Sequence, residues 1–157
     1  MPSTVDYPVP EELDDPRFRR LFDYWLSKHR DGLLPGRAEI DPLEFPELLG
    51  NINLIDVVRE NGIMRFLYRV WGTAVTNLYG RDHTDKFADE IALPTKSDEI
   101  QRVLKESAGS GRPHFWQIPL PTENHDFKSN RRLLLPLASD GVNVDKFIAL
   151  ILGDARR

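Results

Sequence analysis

A strand that leads directly into a short helix is predicted by Met64-Arg-Phe-Leu-Tyr-Arg-Val-Trp-Gly-Thr-Ala-Val-Thr-Asn-Leu-Tyr-Gly80. Its first half is rich in β-branched and aromatic residues, with apolar side chains on both faces. Gly72 breaks the strand, Thr73 is a good N-cap, and Gly80 supplies the left-handed residue that ends many helices. Such a junction is typical of small domains in which short helices cover one face of an antiparallel sheet around a pocket.

The flanking sequence extends this pattern into a complete sheet. Asn51 to Arg59 has the composition of a strand, and Asn61-Gly62 is a strong hairpin signal that joins it to the next strand. Thr95-Lys-Ser-Asp98 is a capping-box pattern that opens a helix, which ends at Gly109-Ser-Gly111. Further strands are predicted at 114–119, 131–138 and 144–152. The chain therefore predicts an α+β fold: a five-stranded antiparallel sheet of order 2-1-5-4-3, with short helices on one face.

An amphipathic helix is predicted near the N-terminus. Asp15-Pro16 combines a cap with a proline at the first helical position, and Gly32 closes the pattern. We expect its apolar face to pack against the sheet, a second copy of the chain, or both. Because this face is broader than a sheet edge would cover, we predict a homodimer and assign its interface to four residues. These are Phe18, Leu21, Phe22 and Trp25.

The chain of 157 residues is long enough for one domain with a modest extension. We divide it into a flexible lead-in at 1–14, the amphipathic helix at 15–32, the main domain at 33–154 and a tail at 155–157. No stretch resembles a signal peptide or approaches the ~20 apolar residues of a membrane span. We therefore expect a cytoplasmic protein without a membrane partner.

Charge and cysteine content exclude several classes of function. The net charge is −4 without a concentrated basic face, so no nucleic-acid partner is expected. Lys128, Arg131 and Arg132 form a small basic cluster, which we interpret as a solvated strand end. The chain has no cysteine, which excludes covalent flavin, thiol-linked chromophores, thiolate metal sites and cysteine nucleophiles.

Several motifs resemble the PAS_5 family of single PAS domains, of the alphaproteobacterial type, between about Leu21 and Asp154. In chain order they are Tyr24-Trp25, Leu34-Pro-Gly-Arg37, Ile40-Asp-Pro42, Phe66-Leu-Tyr-Arg-Val-Trp-Gly-Thr73, Tyr79-Gly-Arg-Asp-His-Thr84, Gly111-Arg-Pro113 and Leu134-Leu-Pro-Leu137. The resemblance implies a PAS fold and a sensory or interaction role, and it carries over neither a catalytic residue nor an established ligand. We therefore expect a stand-alone bacterial module that binds a small molecule or a regulatory protein. With Asp154 to Arg157 directly after the last strand, it would signal by association in trans.

Aromatic residues near the strand–helix junction suggest a small apolar pocket, with a packed core as the competing interpretation. The candidate lining residues are Tyr68, Trp71, Tyr79, His83, Phe115 and Gln117. His83 is the candidate axial ligand for haem, but the long helix contains no histidine, so haem is not expected. No metal site is expected either, non-covalent flavin stays open, and the cofactor is unknown.

Other residues are predicted to hold the structure together. Arg37 and Asp41 are expected to form a charge pair that orients a loop. Arg69 needs a carboxylate such as Asp56 or Glu90 if its strand face is buried. Gly72 and Thr73 form the strand–helix junction.

The sequence contains no nucleophile elbow, phosphate-binding glycine loop or His-Glu-x-x-His motif, so we expect no enzyme. Two alternatives to the sensory module stay open. One is a small α+β enzyme with a cone-shaped fold like that of ketosteroid isomerase. The other is a purely structural dimerisation module without a ligand.

Overall fold

The computed structural model describes residues 13–91 and 97–156. Most of the predicted lead-in, the first half of the predicted capping box (Thr95 and Lys96) and the last residue of the predicted tail lie outside the described residues. The strands are β1 (Ile52–Glu60), β2 (Ile63–Val70), β3 (His114–Pro119), β4 (Phe127–Leu137) and β5 (Lys146–Ala155). The α-helices are α1 (Pro16–Ser27), α2 (Thr73–Tyr79) and α3 (Ser97–Ser110). Short 3-10 helices lie at Arg37–Glu39, Pro42–Glu44, Pro46–Asn51 and Ala88–Glu90.

The strands form one antiparallel sheet in the order β2-β1-β5-β4-β3, which confirms the predicted topology. Asn61 and Gly62 have φ angles of 52° and 77°, as a two-residue hairpin of type I′ requires. α3 lies between β2 and β3 in the chain, and within the described residues α1 alone among the α-helices precedes β1. This order differs from the cone-shaped alternative, in which the long helices come before most strands.

The sheet has two buried faces. The inner face packs against α2 and α3, and its core includes Phe66, Val75, Leu104 and Phe147. The outer face packs against α1 and the 3-10 segments between residues 37 and 51, whereas Ala88 of the last 3-10 helix belongs to the inner core. Successive side chains of a strand point to opposite faces, and β4 shows this directly: Leu133 belongs to the outer core and Leu134 to the inner core.

Helix α1 begins as predicted, with Asp15 as N-cap, but it ends at Ser27 instead of Gly32. The chain turns back after it, because Asp31 and Gly32 both adopt positive φ angles and Arg30 then forms a bridge with Leu33. At the other end of the domain, β5 extends to Ala155, so the first residue of the predicted tail belongs to the sheet.

The apolar face of α1 is buried within a single chain. Its side chains Phe18, Leu21, Phe22 and Trp25 are between 0 and 5% exposed. They pack on outer-face residues of β4 and β5, which make this face wider and more apolar than a sheet edge. These four side chains are therefore buried within the described chain and do not form an exposed surface for the interface assigned to them, while the homodimer itself stays a prediction.

The junction between β2 and α2 depends on Gly72, which is the N-cap of α2, so Thr73 is the first helical residue and not the predicted cap. A Cβ atom on Gly72 would collide with the carbonyl oxygen of Gly50. The Gly72 N–H donates to the side-chain oxygen of buried Asn53 at 2.9 Å. Gly80 ends the helix in the left-handed conformation, as predicted. The close approach of Gly72 to Gly50 fixes the position of Trp71, the residue before the N-cap of the helix.

Candidate functional site

Trp71 is the centre of an aromatic cluster on the inner face. Its side chain is 3% exposed. The indole ring makes edge contacts with the rings of Tyr68 at 4.9 Å, His83 at 4.8 Å and Tyr79 at 6.0 Å, measured between centroids. Four of the predicted pocket residues are therefore brought together by the end of β2, by α2 and by the segment after it.

Phe115 and Gln117 lie on the opposite side of the sheet, so their assignment to the pocket is corrected. The ring of Phe115 packs against that of Phe18 on α1 at 5.0 Å. The Gln117 amide donates to Ser129 Oγ at 2.9 Å. The residue between them, Trp116, is the one that packs against the inner core. The prediction placed the inward face of β3 one residue out of register.

Two polar residues of β4 complete the cluster, and neither was among the predicted pocket residues. Arg132 is 4% exposed, although we interpreted it as part of a solvated strand end, and Asn130 is fully buried. Arg132 Nη1 and Asn130 Nδ2 each donate a hydrogen bond to the Tyr79 hydroxyl, both at 2.9 Å. Asn130, Arg132 and the apolar Leu134 stand at every second position of β4 and therefore share one face of the sheet. This spacing is the sequence signal that could have placed the two polar residues on the inner face.

The guanidinium of Arg132 also lies near two aromatic rings. Its central carbon is 6.0 Å from the centroid of Tyr79 and 5.9 Å from that of Trp116, which stands opposite Arg132 in the β3–β4 ladder. These separations are at the outer limit of cation–π attraction. Arg132 thus connects the aromatic residues of β3 with those of α2.

Three buried polar atoms of this cluster have no hydrogen-bond partner within the described residues. They are Trp71 Nε1, Trp116 Nε1 and Asn130 Oδ1. A buried donor or acceptor without a partner costs about 1–3 kcal/mol, so most proteins avoid them. A cluster of unpartnered groups beside a buried cation is unusual in an ordinary core.

The charge of the site comes from Arg132. Burial raises the pKa of Tyr68, with the nearby Arg132 charge acting in the opposite direction, so the phenol stays protonated at neutral pH. Burial and then the charge of Arg81 lower the pKa of His83, which therefore stays neutral. The described residues include no carboxylate that pairs with Arg132. The cluster thus carries a positive charge that the described chain does not neutralise.

The charge pair predicted between Arg37 and Asp41 does not form, because each side chain binds the backbone instead. Arg37 donates to the Ile40 carbonyl at 2.9 Å, and Asp41 accepts from the Leu43 N–H at 3.0 Å. The predicted Arg37–Asp41 pair is therefore replaced by two bonds to the backbone: that of Arg37 spans the 3-10 helix Arg37–Glu39, and that of Asp41 caps the start of Pro42–Glu44.

Arg69 pairs with Asp56, one of its predicted partners, at 2.7 Å, but its side chain is exposed instead of buried. Lys146 binds the same carboxylate at 2.8 Å. Burial opposes ionisation of Asp56, but the hydrogen bonds from Lys146 and Arg69 outweigh it and lower its pKa. Arg37, Arg69 and Lys146 line a shallow depression around this carboxylate.

Across residues 13–91 and 97–156, no group of three His, Asp or Glu side chains is arranged to hold a metal ion. No helix within these ranges has the length and apolar character needed to span a bilayer. His83 packs edge-on against Trp71.

The family model PAS_5, described as a PAS domain, matches residues 13–152, which is most of the chain. No curated protein sequence matches significantly.

Proposed function

The chain belongs to the PAS_5 family of PAS domains, and we propose that it is a sensory module that binds a small molecule on the inner face of its sheet. PAS domains are in general non-enzymatic sensory and interaction modules. One observation supports a ligand here: the indole N–H groups of Trp71 and Trp116 are buried without acceptors in the part of the chain that the structure describes, with Tyr79 beside Trp71 and Arg132 beside Trp116. A bound molecule would supply the acceptors.

We further propose that α1 reports the state of the site. Arg131, next to Arg132 in β4, points to the outer face and pairs with Asp154 at 2.7 Å and with the α1 cap Asp15 at 3.5 Å. A ligand that moves Arg132 would move the same stretch of β4 that holds the start of α1. A change at α1 could then alter association with a second copy of the chain or with a regulatory protein.

Native mass spectrometry of the protein purified from its source tests the proposal. We expect a mass larger than that of the bare chain. This additional mass should disappear when the protein is denatured. Trp71→Phe should lower the fraction that keeps this mass, because phenylalanine retains a ring and lacks the N–H donor. Trp25→Phe, which removes the indole N–H of the outer face, is the matched control and should retain it.

The same spectra separate the proposal from a purely structural dimerisation module. Dimers of bare chains would support the structural module and contradict a ligand-binding role. A small molecule that stays bound to the chain and is later released with its own mass unchanged supports the sensory proposal, whether the chain is a monomer or a dimer. A molecule released in a chemically altered form would favour an enzyme.

A further inference from the structure

We infer that the ligand of the inner-face site carries a carboxylate, and that Arg132 binds it. The inference rests on the proposed small-molecule site and adds the chemical class of its ligand. It follows from the charge of Arg132, from the hydrogen bonds that surround it and from the aromatic residues beside it.

Arg132 is a buried cation with no counter-charge among the described residues. Its one hydrogen bond in the described structure goes to the Tyr79 hydroxyl, so most of its five N–H donors have no partner there. Burying a charge is costly unless it is paired. The neighbouring Arg131, by contrast, has the partners typical of a structural arginine, because Asp154 and Asp15 both pair with it. Arg132 lacks such carboxylates within residues 13–91 and 97–156.

The groups around Arg132 offer mainly hydrogen-bond donors. The Tyr79 oxygen accepts from both Arg132 and Asn130, which occupies its lone pairs and leaves its hydrogen free to donate. The indole nitrogens of Trp71 and Trp116 are donors only. The unpartnered Asn130 oxygen is an acceptor; rotation of the amide by half a turn would present its NH2 group as a donor instead, and the Tyr79 hydroxyl would then donate to the Asn130 oxygen.

A carboxylate fits this set better than a neutral or cationic group. A guanidinium binds a carboxylate through two parallel N–H bonds, and such charge-assisted bonds are among the strongest in proteins. A neutral carbonyl would accept the hydrogen bonds but leave the charge of Arg132 uncompensated. The rings of Tyr68, Trp71 and Trp116 favour a flat apolar body attached to the carboxylate.

Isothermal titration of the full-length chain with benzoate and with benzamide tests this inference. The two compounds have nearly the same shape and differ in charge. We expect benzoate to bind at least tenfold more tightly, which corresponds to about 1.4 kcal/mol. Arg132→Met should abolish the difference, and Tyr79→Phe should reduce it. Arg102→Met removes an exposed arginine from α3 and should leave the difference unchanged.

Three results would overturn the inference. They are equal affinities for the two compounds, a preference for benzoate that survives Arg132→Met, and no binding of either compound at millimolar concentration. The affinities of the unmodified protein for benzoate and benzamide are compared without any variant. The inference can therefore still be overturned if Arg132→Met folds poorly. A neutral molecule retained in the native mass spectrum would also overturn it while supporting the small-molecule site, so the two proposals fail separately.

Discussion

On the outer face of the sheet the Trp25 indole donates to the Pro136 carbonyl at 2.9 Å, and Arg131 pairs with two carboxylates. On the inner face the indoles of Trp71 and Trp116 have no acceptor, and Arg132 has no carboxylate among the described residues. The same residue types are therefore completed within the chain on one face and left incomplete on the other. The polar groups of the outer face thus stabilise the fold within the chain, whereas those of the inner face form the site at which we propose that a ligand binds.

The largest expected effect is the loss of the outer-face anchor. Trp25 is fully buried between α1 and the sheet, so Trp25→Ala removes a large ring and a hydrogen bond together. We expect a loss of about 3–5 kcal/mol in the free energy of unfolding, measured by urea denaturation. A loss no larger than the ~0.5 kcal/mol of ordinary surface substitutions would show that α1 is only loosely attached.

Arg131 and Arg132 are adjacent in β4 and point to opposite faces of the sheet, so variants of the two compare the faces directly. Arg131→Met breaks hydrogen bonds to Asp154 and Asp15 and should destabilise the chain by about 1–3 kcal/mol. Arg132→Met removes an unpaired buried charge and should leave the ligand-free protein as stable as before, or more stable. Chemical denaturation of both variants measures the free energy of unfolding and tests this difference. Equal losses would show that Arg132 is also a structural residue.

A matched pair of tryptophan variants tests the unpartnered donors. Trp25→Phe leaves the buried Pro136 carbonyl without its donor, whereas Trp71→Phe removes a donor that had no acceptor. Both variants lose a similar volume of ring. Trp25→Phe should therefore cost about 1 kcal/mol more than Trp71→Phe in urea denaturation. The reverse order would mean that Trp71 has an acceptor in the folded protein.

The smallest expected effect is a pH dependence confined to the outer face. Hydrogen bonds from Arg17 lower the pKa of Asp15 from 3.8 to about 2, with burial acting in the opposite direction. Because the folded-state pKa is the lower one, the stabilisation is complete above the unfolded value and is lost as pH falls from about 4 towards 2. Asp15→Asn should flatten this part of the stability curve, as measured by thermal unfolding across that range. An unchanged curve would show that other carboxylates cause the acid dependence.

The sequence predicted the topology because its turn residues act locally. Asn61-Gly62 and Gly80 adopt positive φ angles that other residues avoid, and the hairpin and the end of α2 follow from them. The sequence left open whether α1 packs against the sheet or against a second copy of the chain, because the apolar surface of the outer face comes from strands far away in the chain. Leu133, Leu135 and Leu150 supply that apolar surface, and no local pattern near α1 shows their position.

The site was predicted only in part, since it depends on which way two strands face. β3 has aromatic residues at successive positions, so its composition does not distinguish an inward Trp116 from an inward Phe115. Arg131 and Arg132 are equally ambiguous until pairing with β5 fixes the register of β4. Tyr68, Trp71, Tyr79 and His83 were found because they lie close together in sequence around one strand–helix junction.

The central claim is that the inner face binds a ligand through donors that the chain leaves free, and NMR of the indole N–H groups tests it most directly. The chain has three tryptophans, so its 15N–1H spectrum contains three indole signals, which single Trp→Phe variants assign. On titration with benzoate we predict that the signals of Trp71 and Trp116 shift while that of Trp25 stays in place. Unchanged signals from Trp71 and Trp116, or an equal shift of all three, would contradict the account.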